Sequence, residues 1–155
     1  MGNSQFLALA SPTGASAGTL RKLPRVVLAD DNADVIEEIR ALLEPDFRLV
    51  SLATDGNALL QAVRATRPDL VVTDVQMPGR SGIDVGRQIV QLGLCNAVVA
   101  LSLHGDPQLI QSALDAGIRG YVLKDDAGEE LIPALRAVLS GGRYLSNGVA
   151  GFGRK

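Results

Sequence analysis

Five polar residues stand where short apolar runs of this chain give out. Asp30 and Asp31 follow residues 26–29, Asp74 follows 70–73, Ser102 follows 97–101 and Lys124 follows 121–123. Three carboxylates, a hydroxyl and an ammonium have a defined chemistry if folding gathers them. Three negative charges in a small volume need a cation, and their mutual repulsion raises at least one carboxylate pKa when none is bound. Hard oxygen ligands favour Mg²⁺, which keeps waters and can share a phosphoryl oxygen. A carboxylate there can attack a phosphoryl donor to form an acyl phosphate, while metal and ammonium offset the charge on the equatorial oxygens.

Positioning that set is the work of the elements around it. The runs 26–29, 47–53, 70–73, 97–101 and 121–123 are nearly continuous in apolar residues, as strands covered on both faces of a parallel sheet must be. Longer amphipathic stretches lie between them. Val35, Ile36, Ile39, Leu42 and Leu43 recur at helical spacing, and Leu131, Ile132, Leu135, Val138 and Leu139 repeat it. Weaker helical patterns cover 58–63, 85–90 and 109–114. Asp106-Pro107 supplies an N-cap and a first-turn proline, and Gly117 falls where a left-handed residue would end that helix. Pro133 belongs in a first turn, so the last helix is expected to start near Glu129 or Glu130.

This βα rhythm predicts an α/β fold, a doubly wound parallel sheet of five strands. Right-handed crossovers with a reversal after the first strand give the order 2-1-3-4-5 and set the first and third strands side by side. Ligands of such sheets bind outside the carboxyl ends of the strands at that reversal. All five polar residues are at those ends.

Composition narrows the field. With 155 residues, 46% of them hydrophobic, the chain suits one domain with one core. Residues 1–23, rich in Ser, Gly, Ala and Thr and without an acid, are expected to be a flexible leader; 24–142 form the domain and 143–155 a short tail or the start of a linker. All 17 acidic residues but only ten of the 15 basic ones lie between Val26 and Ala150, so that segment carries a formal charge of −7. An acidic body is a poor match for a phosphate backbone, and no direct DNA binding is expected of it. Cys95 is the sole cysteine, which excludes an internal disulfide and suits a reducing cytoplasm. No apolar run approaches the roughly 20 residues of a membrane helix. His104 reads as a solvated loop histidine, Cys95 as an inert buried thiol.

The motifs Leu28-Ala29-Asp30-Asp31-Asn32, Asp74-Val75-Gln76-Met77-Pro78-Gly79 with Gly82, Leu101-Ser102 and Gly120-Tyr121-Val122-Leu123-Lys124 resemble those of response-regulator receiver domains of two-component signalling. The likeness runs from about Pro24 to Gly142, and the stretch through Arg143-Tyr144-Leu145 resembles the NarL/LuxR-type subgroup. It implies a flavodoxin-like (βα)5 receiver and a phosphoacceptor switch with slow self-catalysed phosphorylation and dephosphorylation rather than a turnover enzyme. Asp74 would be the phosphoacceptor, supplied by a histidine kinase. Asp31, Asp74 and the backbone carbonyl of Gln76 would bind Mg²⁺, with Asp30 acting through water. Lys124 would pair with the phosphoryl group, Ser102 would hydrogen-bond it after a shift, and Tyr121 matches the aromatic that reports the shift. A phosphorylation-dependent homodimer is the implied partner state, and transcription control would pass through a helix-turn-helix domain for which the 13 residues after Gly142 leave no room. One departure concerns the loop: Asp125 follows Lys124 where many receivers carry a cis proline, and a non-proline cis bond costs about 2.5–4 kcal/mol.

Other readings of the same residues stay in view. Tyr121 is either a switch or a core tyrosine with its hydroxyl satisfied. An aspartyl-phosphate hydrolase of the haloacid-dehalogenase kind also uses Asp, Lys and Mg²⁺, but places its nucleophile in an Asp-x-Asp after the first strand, where this chain reads Asp30-Asp31-Asn32. A scaffold that never accepts phosphate would not need the full set of acids and lysine.

Overall fold

A computed structural model describes residues 22–147. The leader expected over 1–23, apart from its last two residues, and the tail after Asn147 lie outside the described residues. Among the described residues six strands form one parallel sheet: β1 Arg25–Ala29, β2 Arg48–Ala53, β3 Leu70–Asp74, β4 Val98–Ser102, β5 Gly120–Leu123 and β6 Tyr144–Leu145, in the order β2-β1-β3-β4-β5-β6. The helices are α1 Ala33–Leu43, α2 Gly56–Thr66, α3 Gly82–Gln91, α4 Pro107–Asp115 and α5 Ala127–Leu139. α1 packs beside α5, while α2, α3 and α4 lie in a row against one another. Among the described residues no helix is long and apolar enough to cross a membrane.

Every residue of β3 and β4 is buried, which is why their sequences run apolar without alternation. β2, at an edge, is half-exposed. Leu28 of β1, Ile39 and Leu43 of α1, and Leu131 and Leu135 of α5 are at most 1% exposed. Each such side chain contributes roughly 1.5–3 kcal/mol of transfer free energy.

The first three helices are started by side chains close to the strand ends. Asn32 Oδ1 accepts from the amides of Asp34 and Val35, Asp55 Oδ1 from Ala58 and Ser81 Oγ from Asp84. At α4, Asp106 occupies the N-cap and Pro107 the first turn as expected, but the Asp106 carboxylate makes no capping bond. Gly117, at φ +92°, ends that helix, with the Ile118 amide reaching back to the Ala113 carbonyl.

Two expectations are corrected. α5 starts at Ala127, not Glu129 or Glu130, and follows a 3₁₀ turn over Lys124–Asp126, so Pro133 lies inside it. The buried Ala127, Glu130 and Leu131 hold the early start, while Pro133 and Glu129 are exposed, so water can satisfy the carbonyl that a residue-133 amide would have served. The sheet also has six strands rather than five. β6 pairs parallel with β5, Tyr144 opposite Gly120 and Leu145 opposite Tyr121.

Candidate functional site

β1 and β3 are adjacent, with Ala29 opposite Thr73, so the next residues along both strands emerge together at their carboxyl ends. Asp30 stays in the ladder, its amide bonded to the Ala53 carbonyl, and its side chain is fully buried. Asp74, the last residue of β3, is 6% exposed and lies opposite Leu101 of β4. Asp31 points to the exposed rim. One carboxylate oxygen from each of these three residues falls within a cluster no wider than 4.8 Å.

Lys124, just past β5, brings its ammonium 2.9 Å from Asp30 Oδ2 and 3.2 Å from Asp74 Oδ2. Asp30 Oδ1 accepts from the Asn32 amide and Asp74 Oδ1 from the Gln76 amide. The Asp30 Oδ2 contact is at ion-pair distance but off hydrogen-bond alignment, leaving a buried carboxylate oxygen without a directed partner. Asp31, Asp74 and Lys124 line a cleft of about 380 Å³ together with Asn32, Gln76, Met77, Pro78, Ser102 and Leu103, while the fully buried Asp30 is not part of its wall.

Burial pushes the Asp74 carboxyl above its usual range, and the Asp30 charge adds to the rise, against the Gln76 amide and the Lys124 ammonium. Repulsion among the acids therefore acts in the expected direction, second to desolvation. Burial works to lower the Lys124 pKa, but its close ion-pair contacts with Asp30 and Asp74 win and raise it. One ammonium thus serves two carboxylates and does not offset both. A cluster of three acids with an under-served buried oxygen fits a divalent cation bound through oxygen.

Ser102 is 2% exposed and lines the cleft, and its hydroxyl accepts from the His104 amide. Tyr121 does not line the cleft. It is fully buried beneath, its hydroxyl donating to the His104 carbonyl at 2.7 Å, so β5 is tied to the loop after β4. Burial and the Asp106 charge raise its pKa, partly offset by the Ser102 hydroxyl. His104 is exposed, and Cys95 is buried at the other end of the sheet, its thiol pushed up by burial. The Lys124–Asp125 peptide is trans.

Sequence reasoning passed over Leu103 and named Gly82 only as part of a motif. Leu103, 66% exposed, forms an apolar wall, and only its place beside Ser102 could have drawn notice. Gly82 packs so closely beneath Asp74 that a Cβ there would overlap the Asp74 carbonyl oxygen, while its amide bonds to the Val75 carbonyl.

A parallel sheet that reverses between β1 and β3, with three acids and a lysine at the reversal, defines the class of acid-pocket α/β domains. Residues 26–136 match the model of the response regulator receiver domain, and the chain belongs to that family. It is 32% identical over 123 residues to the transcriptional regulatory protein DesR of Bacillus subtilis strain 168, covering 78% of this chain and 61% of DesR. A two-component response regulator of the LuxR family from Aurantimonas sp. SI85-9A1 superposes with a TM-score of 0.79 at 34% identity, covering 84% of this chain and 94% of that one. The isolated receiver of RcsB from Salmonella enterica serovar Typhimurium, solved with the phosphomimetic BeF₃⁻, gives 0.75 at 27% identity, covering 84% and 98%. The chain is thus a NarL/LuxR-like receiver domain. It spans about half to three-fifths of the length of the curated relatives it matches.

Proposed function

We propose that Asp74 is the phosphoacceptor of this receiver, loaded by a sensor histidine kinase. The observation that carries the reading is the Lys124 ammonium set between Asp30 and Asp74 at the head of an open cleft. A carboxylate oxygen of Asp74 attacks phosphorus; the new O–P bond forms as the P–N bond of the donor phosphohistidine breaks, and its electron pair, with a proton, goes to the imidazole. Lys124 then transfers its contact from Asp74 to the phosphoryl oxygens. Asp31, Asp74 and the Gln76 carbonyl would hold Mg²⁺, with Asp30 reached through water; when bound, the cation supplies positive charge against the phosphoryl oxygens.

The output we assign is transcription control through a domain beyond this chain, as the names of the longer relatives suggest. Phosphorylated copies would self-associate through the end of the sheet that carries Tyr121, and the acidic receiver would leave DNA contact to the output domain. Ser102 would swing from the His104 amide to the phosphoryl group, and Tyr121, already bonded to the same loop, would transmit that move.

The test is intact mass after incubation with acetyl phosphate and Mg²⁺, with and without chelator. A chelator-sensitive gain of one phosphoryl group, absent in Asp74→Asn, is expected. Sustained release of phosphate at an enzyme's rate would favour a hydrolase instead, and an unchanged mass would leave a scaffold.

A further inference from the structure

The geometry points to Ser146 as a positioning residue for Lys124, an inference that rests on the phosphoacceptor reading above. Lys124 has to keep its ammonium between two carboxylates, yet it opens a single 3₁₀ turn over Lys124–Asp126 whose N-cap is Leu123, a side chain that cannot accept a hydrogen bond. Asp126 at the end of that turn occupies the N-cap of α5 and makes no capping bond there either. The Ala127 amide closes the turn on the Lys124 carbonyl, and the side-chain hold on it comes from outside.

Ser146 follows β6 and is fully buried. Its amide donates to the Tyr121 carbonyl at 2.9 Å and its hydroxyl to Asp126 Oδ2 at 2.9 Å. These two partners lie three residues before Lys124 and two residues after it, so one side chain and its own backbone bracket the segment that bears the ammonium. Ser146 is itself held in place. The buried Glu130 carboxylate accepts from Tyr144 Oη at 2.8 Å and from the Asn147 amide at 2.9 Å, fixing the strap on either side of Ser146. A buried hydroxyl costs free energy unless bonded, so a serine enclosed here makes sense as the partner of Asp126. Without it the turn gains freedom that must be given up again whenever the ammonium meets a phosphoryl group.

The experiment uses the whole chain with beryllofluoride as the phosphoryl probe at saturating Mg²⁺, and amide hydrogen exchange over 124–127 without metal. Ser146→Ala should weaken beryllofluoride binding by about two- to tenfold, the range of one lost hydrogen bond, and speed exchange in the metal-free turn. Asp126→Ala should match it, the double variant should be no worse than either single, and Asp126→Asn, which keeps an acceptor, should behave as the wild type. Tyr144→Phe removes the bond to Glu130 without touching the turn; it should lower Tm and leave beryllofluoride affinity alone. Wild-type affinity and exchange in both Ser146→Ala and Asp126→Ala would overturn the assignment, as would equal weakening by Tyr144→Phe, which would make the strap's docking a general structural matter. If the wild type binds no beryllofluoride, the phosphoacceptor reading falls and this inference falls with it; binding that ignores Ser146 overturns this inference only.

Discussion

The central charge arrangement consists of one ammonium against two buried carboxylates. Lys124→Ala leaves Asp30 enclosed without its counter-charge, and breaking such a pair from one side should cost on the order of 3 kcal/mol in urea denaturation at neutral pH. The folded Lys124 pKa is raised above 10.5, so its stabilisation is fully present below that value and lost as pH climbs through the folded one. Wild-type stability should therefore show a step above about pH 10.5 that Lys124→Ala lacks. Asp74 behaves oppositely to a salt-bridged acid. Its folded pKa lies above 3.8, so ionising it weakens the native state as pH rises, and Asp74→Asn should raise Tm at pH 7 with a gain that shrinks toward pH 3.8. A Tm lowered by Asp74→Asn at pH 7 would mean that the Lys124 contact outweighs the burial. The acids and the lysine were legible in the sequence because each ends an apolar run, and polarity at a strand end has few purposes in a buried sheet. What the sequence did not disclose was that Lys124 rests on both Asp30 and Asp74, or that Ser102 turns toward the next loop, since side-chain direction past a strand end depends on loop geometry.

Among the elements, those with caps or unbroken apolar runs could be read directly. The 26–29 and 70–73 runs became β1 and β3 to within a residue, and Asp106-Pro107 and Gly117 bound α4 as expected. α5 was misplaced because Pro133 was weighed as a local breaker, whereas buried Ala127 and Leu131 anchor the helix ahead of it. Pro133→Ala restores an amide for the Glu129 carbonyl at an exposed position, and should stabilise the protein by up to about 3 kcal/mol in chemical denaturation. β6 escaped notice for two reasons: it is only two residues long, and α5 lies beside α1, opposite α2–α4, so the β5–α5–β6 connection runs against the right-handed rule. Gly82 opens α3 directly under Asp74. Gly82→Ala must displace the Asp74 carbonyl or the helix start, costing about 1–3 kcal/mol and slowing phosphoryl labelling more than the lost stability alone would.

For the molecule as a whole, a cation held by the three acids, which only folding brings together, would relieve the repulsion at one end of the sheet. At ten times its Kd such a ligand adds about 1.4 kcal/mol, and each kcal/mol shifts Tm by roughly 2–4 °C in a domain of this size. Mg²⁺ should accordingly raise Tm by several degrees in a thermal melt, and by less in Asp31→Asn, which loses a rim carboxylate; an equal shift in both would remove Asp31 from the metal site. The far edge of the sheet has a different consequence, one for handling the protein. α5 ends at Leu139 and Gly141-Gly142 looks like a natural place to cut, but β6 and its bonds to the Arg119 and Tyr121 carbonyls lie beyond it. A fragment ending at Gly142 would present the apolar strand Gly120–Leu123 as an open edge and strip the buried Glu130 carboxylate of its Tyr144 and Asn147 donors. Open edges of this kind recruit other chains. Such a fragment should form concentration-dependent aggregates in sedimentation, whereas one extended to Asn147 should stay dispersed without phosphoryl donor, so the five residues 143–147 would decide whether the isolated domain is tractable at all.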